Sequence, residues 1–498
     1  MDLKRSFNIF ALAVAIAAPA FASKQRLDPE IYQPTIDYLQ SRREHRILET
    51  SLQPWTQVEF DQYLSQEKMS DEDRAFFQQM NKNTFTDRGF IFNAQWKNEF
   101  VFHNSRSVKL LQLNAFTDPL LSHRNNVYAP ESFGLTAGQF YVEFEDFLSF
   151  DVKPIFLFHD VPGFRKFTLR EAYASIHLNK LSIDIGKAAV RWGYGAYHSM
   201  IFSDDLEPFF MIRARNSEEV EFDGFLSFLG KMKFEMMYGW LDQFRTYPYG
   251  NIMGALFSFQ PTNRFQFHLG QTVLYNGQGA PTDNPSVFLG EIFLDLPKNA
   301  NPANRNSFIG FRYRIPKIEI EPYIDLYVED CCTFPYFQPR DIQQLIGVYV
   351  PPMGDSKKID LTLEFVRTNY ITYRHPFPYT QSRKILGDPL GPDAIGVYLM
   401  ARYFQSKQLQ FGGTYAFEIR GRDGRALSNK GFVDIRTVEP SYQEAEIRNR
   451  YEQSVNFTWT PSWTWTIQAG IEHVNNAGYQ SNSNRWQGLF GLQSTYAF

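Results

Sequence analysis

The feature that most narrows what this chain can fold into is a period of two. From about residue 88 to the C-terminus, apolar and polar side chains alternate. In the run Gln139 to Glu145, Phe140, Val142 and Phe144 share one face, and Glu143 and Glu145 share the other. Successive side chains of a strand point to opposite sides, so this pattern predicts strands with one apolar and one charged face. Similar runs recur at Thr168–Leu178, Val220–Phe228, Phe257–Val273, Glu319–Val328, Lys358–Phe365, Gly396–Phe404, Gln408–Ile419 and Asn456–Glu472. A soluble β-sandwich must keep its inner faces dry, and these charges exclude it. A closed membrane barrel turns the apolar face to lipid and the charged face to its lumen. Composition agrees: the chain holds 48 Phe and 27 Tyr, yet no stretch of about 20 apolar residues follows its first residues.

Turn residues divide the runs at Asp160–Gly163, Gln260–Asn263, Arg314–Lys317 and Thr460–Ser462. Brief connections of this kind force antiparallel neighbours. Long polar connections fall at about 118–136, 196–214, 276–285, 297–306, 367–393 and 421–449. The alternation of short and long connections matches the periplasmic turns and outer loops of such barrels. The reading is an all-β transmembrane protein: a single antiparallel outer-membrane β-barrel of about 18 strands over residues 88–498. In the last strand Trp486, Phe490, Leu492, Tyr496 and Phe498 share one face, while Gln487, Gln493 and Thr495 take the other. A strand ending in Phe resembles the C-terminal signal that the barrel assembly machinery reads in bacterial outer-membrane proteins.

The N-terminal part differs. Lys4 and Arg5 precede an apolar run from Phe7 to Ala18, and Ala20-Phe21-Ala22 fits a small-x-small cleavage site. Residues 1–22 therefore read as a signal peptide cleaved after Ala22. Residues 23–87 read as a small periplasmic helical region. Ile31, Ile36, Tyr38 and Leu39 form a loose apolar stripe, and Ser70 to Asp73 make an acidic helix start. The two cysteines, Cys331 and Cys332, are adjacent, so a bond between them would be strained and no disulfide framework is expected. A net charge of -4 without a basic cluster points away from nucleic acid.

The residues that face the lumen in this register include Glu143, Glu145, Arg170, Glu171, Glu221, Arg312, Glu319, Glu321, Arg402 and Glu418, which should pair with one another. Catalysis finds no support. His103 and Ser105, or His198 and Ser199, are near in sequence, but the second pair would face apart on a strand, and among nine His and many Ser such neighbours arise by chance. There is no nucleophile elbow, no His-Glu-x-x-His zinc site and no phosphate-binding loop. No cofactor and no metal are expected.

Two segments go beyond generic barrel sequence. One is Arg191-Trp192-Gly193-Tyr194-Gly195 with Ile201–Phe209 behind it. The other is Tyr373-Arg374-His375 with Ile385–Asp393 behind it, including Gly391-Pro392-Asp393. In this order and within a barrel they resemble the capsule assembly protein Wzi family, although the resemblance leads to Pro where Tyr194 stands. The resemblance implies an outer-membrane lectin that retains or organises capsular or related polysaccharide at the cell surface. Sugar recognition needs flat apolar faces and planar polar groups, with Arg for charged sugars. The candidates are Tyr194, Tyr197, Asp204, Asp205 and Arg213 in the first loop. The second offers Tyr373, Arg374, His375, Arg383 and Asp393, with Tyr370 and Tyr379 nearby. Gly387, Gly391 and Pro392 are expected to shape a turn, which Asp393 would cap. Expected partners are the polysaccharide, outer-membrane lipid and the assembly machinery, with the barrel acting as a monomer. The competing reading is a porin-like channel, since about 18 strands can enclose a water-filled lumen.

Overall fold

The structure is a computed structural model. It describes residues 52–53, 85–87, 90–103, 133–144, 147–159, 165–203, 206–243, 245, 247–280, 303–329, 342–352, 358–369, 372–373, 379–381, 384–422, 425–428, 431–434, 444–460 and 463–497.

Eighteen strands build the wall. The first six are β1 (Phe90–His103), β2 (Phe133–Phe144), β3 (Leu148–His159), β4 (Arg165–Leu178), β5 (Leu181–Ala188) and β6 (Phe209–Asn216). Next come β7 (Lys231–Trp240), β8 (Asn251–Thr262), β9 (Phe265–Tyr275), β10 (Asn304–Tyr313), β11 (Glu321–Glu329) and β12 (Gln343–Val350). The last are β13 (Ile359–Arg367), β14 (Ala394–Phe404), β15 (Leu409–Arg420), β16 (Glu446–Thr460), β17 (Trp463–Asn475) and β18 (Arg485–Ala497). Each pairs antiparallel with the next, and β18 pairs with β1, with Leu492 opposite Phe100 and Tyr496 opposite Trp96. The ring is closed at 18 strands, as the alternating pattern leads one to expect. Closure matters because an unpaired backbone group in hydrocarbon costs several kcal/mol.

One end of the ring carries brief turns and the other carries long loops. Asn179-Lys180 joins β4 to β5, and Asn263-Arg264 joins β8 to β9. Asn179 takes a left-handed φ of 55°, which a two-residue hairpin demands and Asn tolerates. The opposite end holds the connections 104–132, 189–208, 276–303, 368–393 and 421–445. Several loop boundaries move, with strands beginning at Phe133 and Glu446 inside the loops expected at 118–136 and 421–449. The separate loops expected at 276–285 and 297–306 are one connection between β9 and β10, and the first motif's loop ends at 208, where β6 begins.

Val220–Phe228 is not a strand. Only Val220–Glu221 is extended, after which the chain turns at Gly224 (φ 65°) into a short 3-10 helix, Gly224–Leu229. The alternation persists there by composition, but a glycine with positive φ breaks the ladder. Within 23–87 the described pieces are both extended. Leu52–Gln53 pairs antiparallel with Trp192–Arg191, and Phe85–Asp87 continues the sheet against β1. The expected helices of that region, the signal peptide, Cys331 and Cys332 lie outside the described residues.

The in-and-out alternation is as read from the pattern. Phe140 and Phe144 are outside while Glu143 between them is wholly buried. Trp486, Phe490 and Tyr496 face out, and Gln487 and Thr495 face in. Of the charges assigned to the lumen, Glu171 pairs with Lys153 at 3.0 Å and Arg312 with Glu321 at 2.6 Å. Arg402 meets Asp360 at 2.6 Å, Glu418 meets Arg420 at 2.6 Å, and Glu319 pairs with Arg314. Glu143 accepts the Tyr141 hydroxyl, and Arg170 is half-buried. Glu221 is the exception, exposed at the turn end 3.7 Å from Lys231. Glu145 lies outside the described residues.

Two substitutions test this register. Leu269→Arg puts a charge on the lipid face in the middle of β9, and the expected loss is about 2–4 kcal/mol. Arg312→Ala removes one of the two guanidinium groups that hold the buried Glu321 carboxylate, leaving Arg314 at 3.2 Å, and should cost about 1.5–3 kcal/mol. Urea unfolding from phospholipid vesicles measures both. A neutral Leu269→Arg would refute the assigned face.

Candidate functional site

The two motif loops turn inward and meet inside the barrel. In the first, residues 189–208, three backbone amides within four residues are caught by wall carboxylates. Tyr194 N–H donates to Asp325 Oδ2 of β11 at 2.8 Å, Ala196 N–H donates to Glu364 of β13, and Tyr197 N–H donates to Glu364 Oε2 at 3.0 Å. The Tyr323 hydroxyl gives Glu364 a further bond of 2.5 Å, and His268 Nε2 stands 3.2 Å from Asp325. Gly193 (φ 123°) and Gly195 let the chain run this close to the wall, since a methyl group at Gly193 would press on the Asp325 carboxylate and one at Gly195 on the Leu345 side chain. Trp192 is fully buried, its indole N–H donating to Glu235 at 3.0 Å and its rings packed against Phe202 and Phe308.

The second loop, residues 368–393, locks onto the first through Tyr373. Its hydroxyl donates to the Met200 carbonyl at 2.8 Å and accepts Asp388 N–H at 2.8 Å, while its own N–H donates to Glu329. Gly387 has no room for a Cβ beside that hydroxyl. His198 Nδ1 and Asp388 Oδ1 stand 2.7 Å apart, and Ser203 N–H reaches the Leu386 carbonyl at 3.1 Å. Tyr373 stacks on Tyr379 at 5.9 Å, and Tyr379 on Phe202 at 6.1 Å. Burial pushes the Tyr373 and Tyr379 phenols well above their usual value, so both act as neutral hydrogen-bonding groups. The Gly391-Pro392-Asp393 turn closes on Thr368, whose hydroxyl donates to the Gly391 carbonyl at 2.6 Å. Asp393 serves it through its backbone, its N–H bonded to the Asn369 carbonyl and its carbonyl accepting Gly421 N–H and Arg422 N–H.

A third anchor is Tyr197. Its ring stacks on Tyr398 at 5.0 Å, and Arg450 sits 5.7 Å over it while donating to its hydroxyl at 2.6 Å. Arg450 also lies among Glu418, Glu452 and Glu472 at 2.9–3.7 Å. Trp192, Phe202, Tyr327, Tyr373, Tyr379 and Tyr398 all have no exposed surface, so water does not reach this level of the lumen beside them.

The expected contact residues are distributed as follows. Tyr194, Tyr197, Tyr373 and Asp393 are brought together in this inner knot. Tyr194, Tyr373 and Asp393 are buried and Tyr197 half-buried. The first two rings therefore pack against the protein and offer no open face for a sugar. Arg213 is a β6 wall residue, fully buried, 2.6 Å from Asp184 and 3.9 Å from Glu235, and it donates to the Ala189 carbonyl at the start of the first loop at 2.9 Å. An arginine held in this way braces wall and loop and has no free edge for a sugar. Asp204, Asp205, Arg374, His375 and Arg383 lie outside the described residues, next to the knot in sequence. The Ser199 hydroxyl donates to the Trp192 carbonyl, away from its neighbour His198, which is turned to Asp388. Among the described residues no three His, Cys, Asp or Glu side chains form a metal cluster.

Asp325, Glu329, Glu364 and Asp388, which hold the loops, were not singled out from sequence. Glu364 meets its amide partners across 167 and 168 residues, and alternation marks it only as lumen-facing.

Residues 96–487 match a family model described as capsule assembly protein Wzi. The solved structure of Wzi from Escherichia coli is 15% identical, with a TM-score of 0.70 over 95% of this chain and 99% of that one. It is described as an outer membrane protein involved in group 1 capsule assembly and as a carbohydrate binding beta-barrel. OprD of Pseudomonas aeruginosa follows at 10% identity and a TM-score of 0.48, over 82% of this chain and 95% of that one. OccD3 of the same organism stands at 10% and 0.49, over 82% and 91%. Comparison with curated proteins gives no match.

The knot predicts a lumen that does not conduct. Wild-type protein in planar bilayers should show no stable conductance steps. Tyr373→Phe leaves the Met200 carbonyl and Asp388 N–H unpaired, at about 1–3 kcal/mol for each group. Limited proteolysis should then cut the two loops faster. Unchanged cleavage would mean that the loops are held elsewhere.

Proposed function

The chain belongs to the capsule assembly protein Wzi family, and from that premise we propose that it is an outer-membrane, lectin-like barrel that holds capsular or related exopolysaccharide at the cell surface. The observation that carries the reading is the knot between the two motif loops. His198–Asp388, Tyr373–Met200 and Ser203–Leu386 tie them to each other, and Asp325, Glu329 and Glu364 tie them to the wall. A binding surface gains affinity when its loops are ordered before the ligand arrives, because less conformational freedom is lost on binding. A lumen filled by such buried rings disfavours the channel reading.

In this proposal the sugar contacts are Asp204, Asp205, Arg374, His375 and Arg383. They belong to the anchored loops and supply carboxylate, guanidinium and imidazole groups suited to hydroxyls and acidic sugars. The buried Tyr194, Tyr373 and Asp393 set the loops' shape, and Tyr197 with Arg450 braces the first loop. The barrel binds and does not cleave. Under the same reading residues 1–22 direct export and are removed, and the terminal strand is read by the assembly machinery. The barrel works as a monomer in outer-membrane lipid.

Deleting the gene should move polysaccharide from the cell-bound fraction to the medium without lowering the total made. Unchanged retention would sink the reading. On purified protein, Arg374→Ala or Arg383→Ala should each weaken glycan binding roughly tenfold to a hundredfold, the loss of one charge-assisted hydrogen bond.

A further inference from the structure

The connection between β6 and β7, residues 217–230, lies at the turn end of the barrel and is the longest there. Its 3-10 helix, Gly224–Leu229, has no buried residue. Phe225 is 89% exposed, Phe228 62% and Leu226 42%. The two Phe rings meet edge to face at 6.0 Å, forming one apolar knob.

The knob is held in place. The helix packs against β8, and Gly230 runs so close to the Gln260 carbonyl that a Cβ would strike it. The strands beside it carry aromatic side chains at the same end. Phe234 stacks on Phe257 at 6.3 Å, and Phe267 lies 5.0 Å from Phe259 and 6.0 Å from Phe265. These five residues belong to the face that also holds Leu269, Ile309 and Phe311, all exposed on the outside of the barrel. The knob thus extends the lipid-facing belt beyond the ends of the strands. Its polar edge is acidic: Glu219 and Glu221 share Lys231 at 2.7 and 3.7 Å, and Asp223 is exposed.

We infer that residues 217–230 are an interfacial anchor, with Phe225, Leu226 and Phe228 embedded in the periplasmic leaflet of the membrane. The carboxylates of Glu219, Glu221 and Asp223 remain in the water of the headgroup layer and set the depth of insertion. Aromatic side chains are favoured at that boundary, and a short amphipathic helix lies there in the membrane plane. Lipid fits better than a protein partner because the knob is small, convex and continuous with a surface that lipid already covers. On the opposite side of the ring, Trp459 and Trp463 of β16 and β17 and Tyr496 of β18 lie exposed at the same end. The barrel is then gripped at one depth on both sides. The inference rests on the barrel's membrane placement and stands apart from the polysaccharide reading.

The test uses full-length protein in vesicles of phosphatidylethanolamine with a minority of phosphatidylglycerol. Cys331→Ser and Cys332→Ser give a background free of thiols. Single nitroxide labels go at Phe225→Cys and Phe228→Cys, with Leu269→Cys as lipid control and Lys317→Cys as water control. Labels at 225 and 228 should match the lipid control in their relative access to oxygen and to a water-soluble nickel complex. Water-like access at both overturns the anchor. So does shielding that appears only after periplasmic extract is added, since it would identify a protein as the occupant. On unsubstituted protein, a membrane-confined carbene reagent should label the 217–230 segment. Label on the strands but none on that segment overturns the inference without any variant.

Discussion

Pairing of β18 with β1 is the condition on which the rest of the molecule depends. It leaves no sheet edge in the wall, which is what allows a polypeptide other than a helix to cross hydrocarbon. It also separates two environments by the width of one strand. A side chain at any wall position faces either lipid or the lumen, and the next one faces the other. Phe490 and Gln487, three residues apart, thus share a strand and differ completely in exposure.

Closure creates an interior that must then be satisfied. The lumen holds many charges because outward positions cannot, and inside the low-dielectric ring each needs a partner. Part of that demand is met between adjacent strands, as in Arg312–Glu321 and Lys153–Glu171. The remainder is met by the chain folding inward. Asp325, Glu329 and Glu364 accept backbone N–H groups of the two motif loops, so the same carboxylates that could line a hydrated pore become anchors for a knot. Around the knot the aromatic stack of Tyr373, Tyr379 and Phe202 excludes water. The barrel is accordingly a rigid socket, and its loops leave the lumen already tied.

The wall was largely legible in the sequence and the socket was not. Phe140, Glu143 and Phe144 declare their faces by spacing alone, because a strand's geometry is local. Strand number follows from counting such runs. The exception is Val220–Phe228, which keeps the alternating pattern although its extended part stops at Glu221 and Gly224 takes a positive φ into a 3-10 helix. In the site, Gly391-Pro392-Asp393 announces a turn by composition. Tyr373 and Tyr194 announce only that a ring is present. Whether such a ring offers its face to a sugar or is buried depends on residues more than a hundred positions away. Arg213 was open to the same ambiguity, resolved by Asp184 and Glu235 beside it.

Taken alone, then, the sequence determined that the chain would cross a membrane as strands, about how many there would be, and which face of each would meet lipid. Those properties depend on a repeat of two residues and on the cost of charge in hydrocarbon, both of which operate within a single strand. Tertiary structure decided what fills the ring. The contacts of His198 with Asp388, of Tyr373 with Met200, and of Glu364 with Ala196 and Tyr197 join segments more than 160 residues apart. No local pattern encodes such a pairing, because it exists only once the wall has closed and brought the two loops into one space.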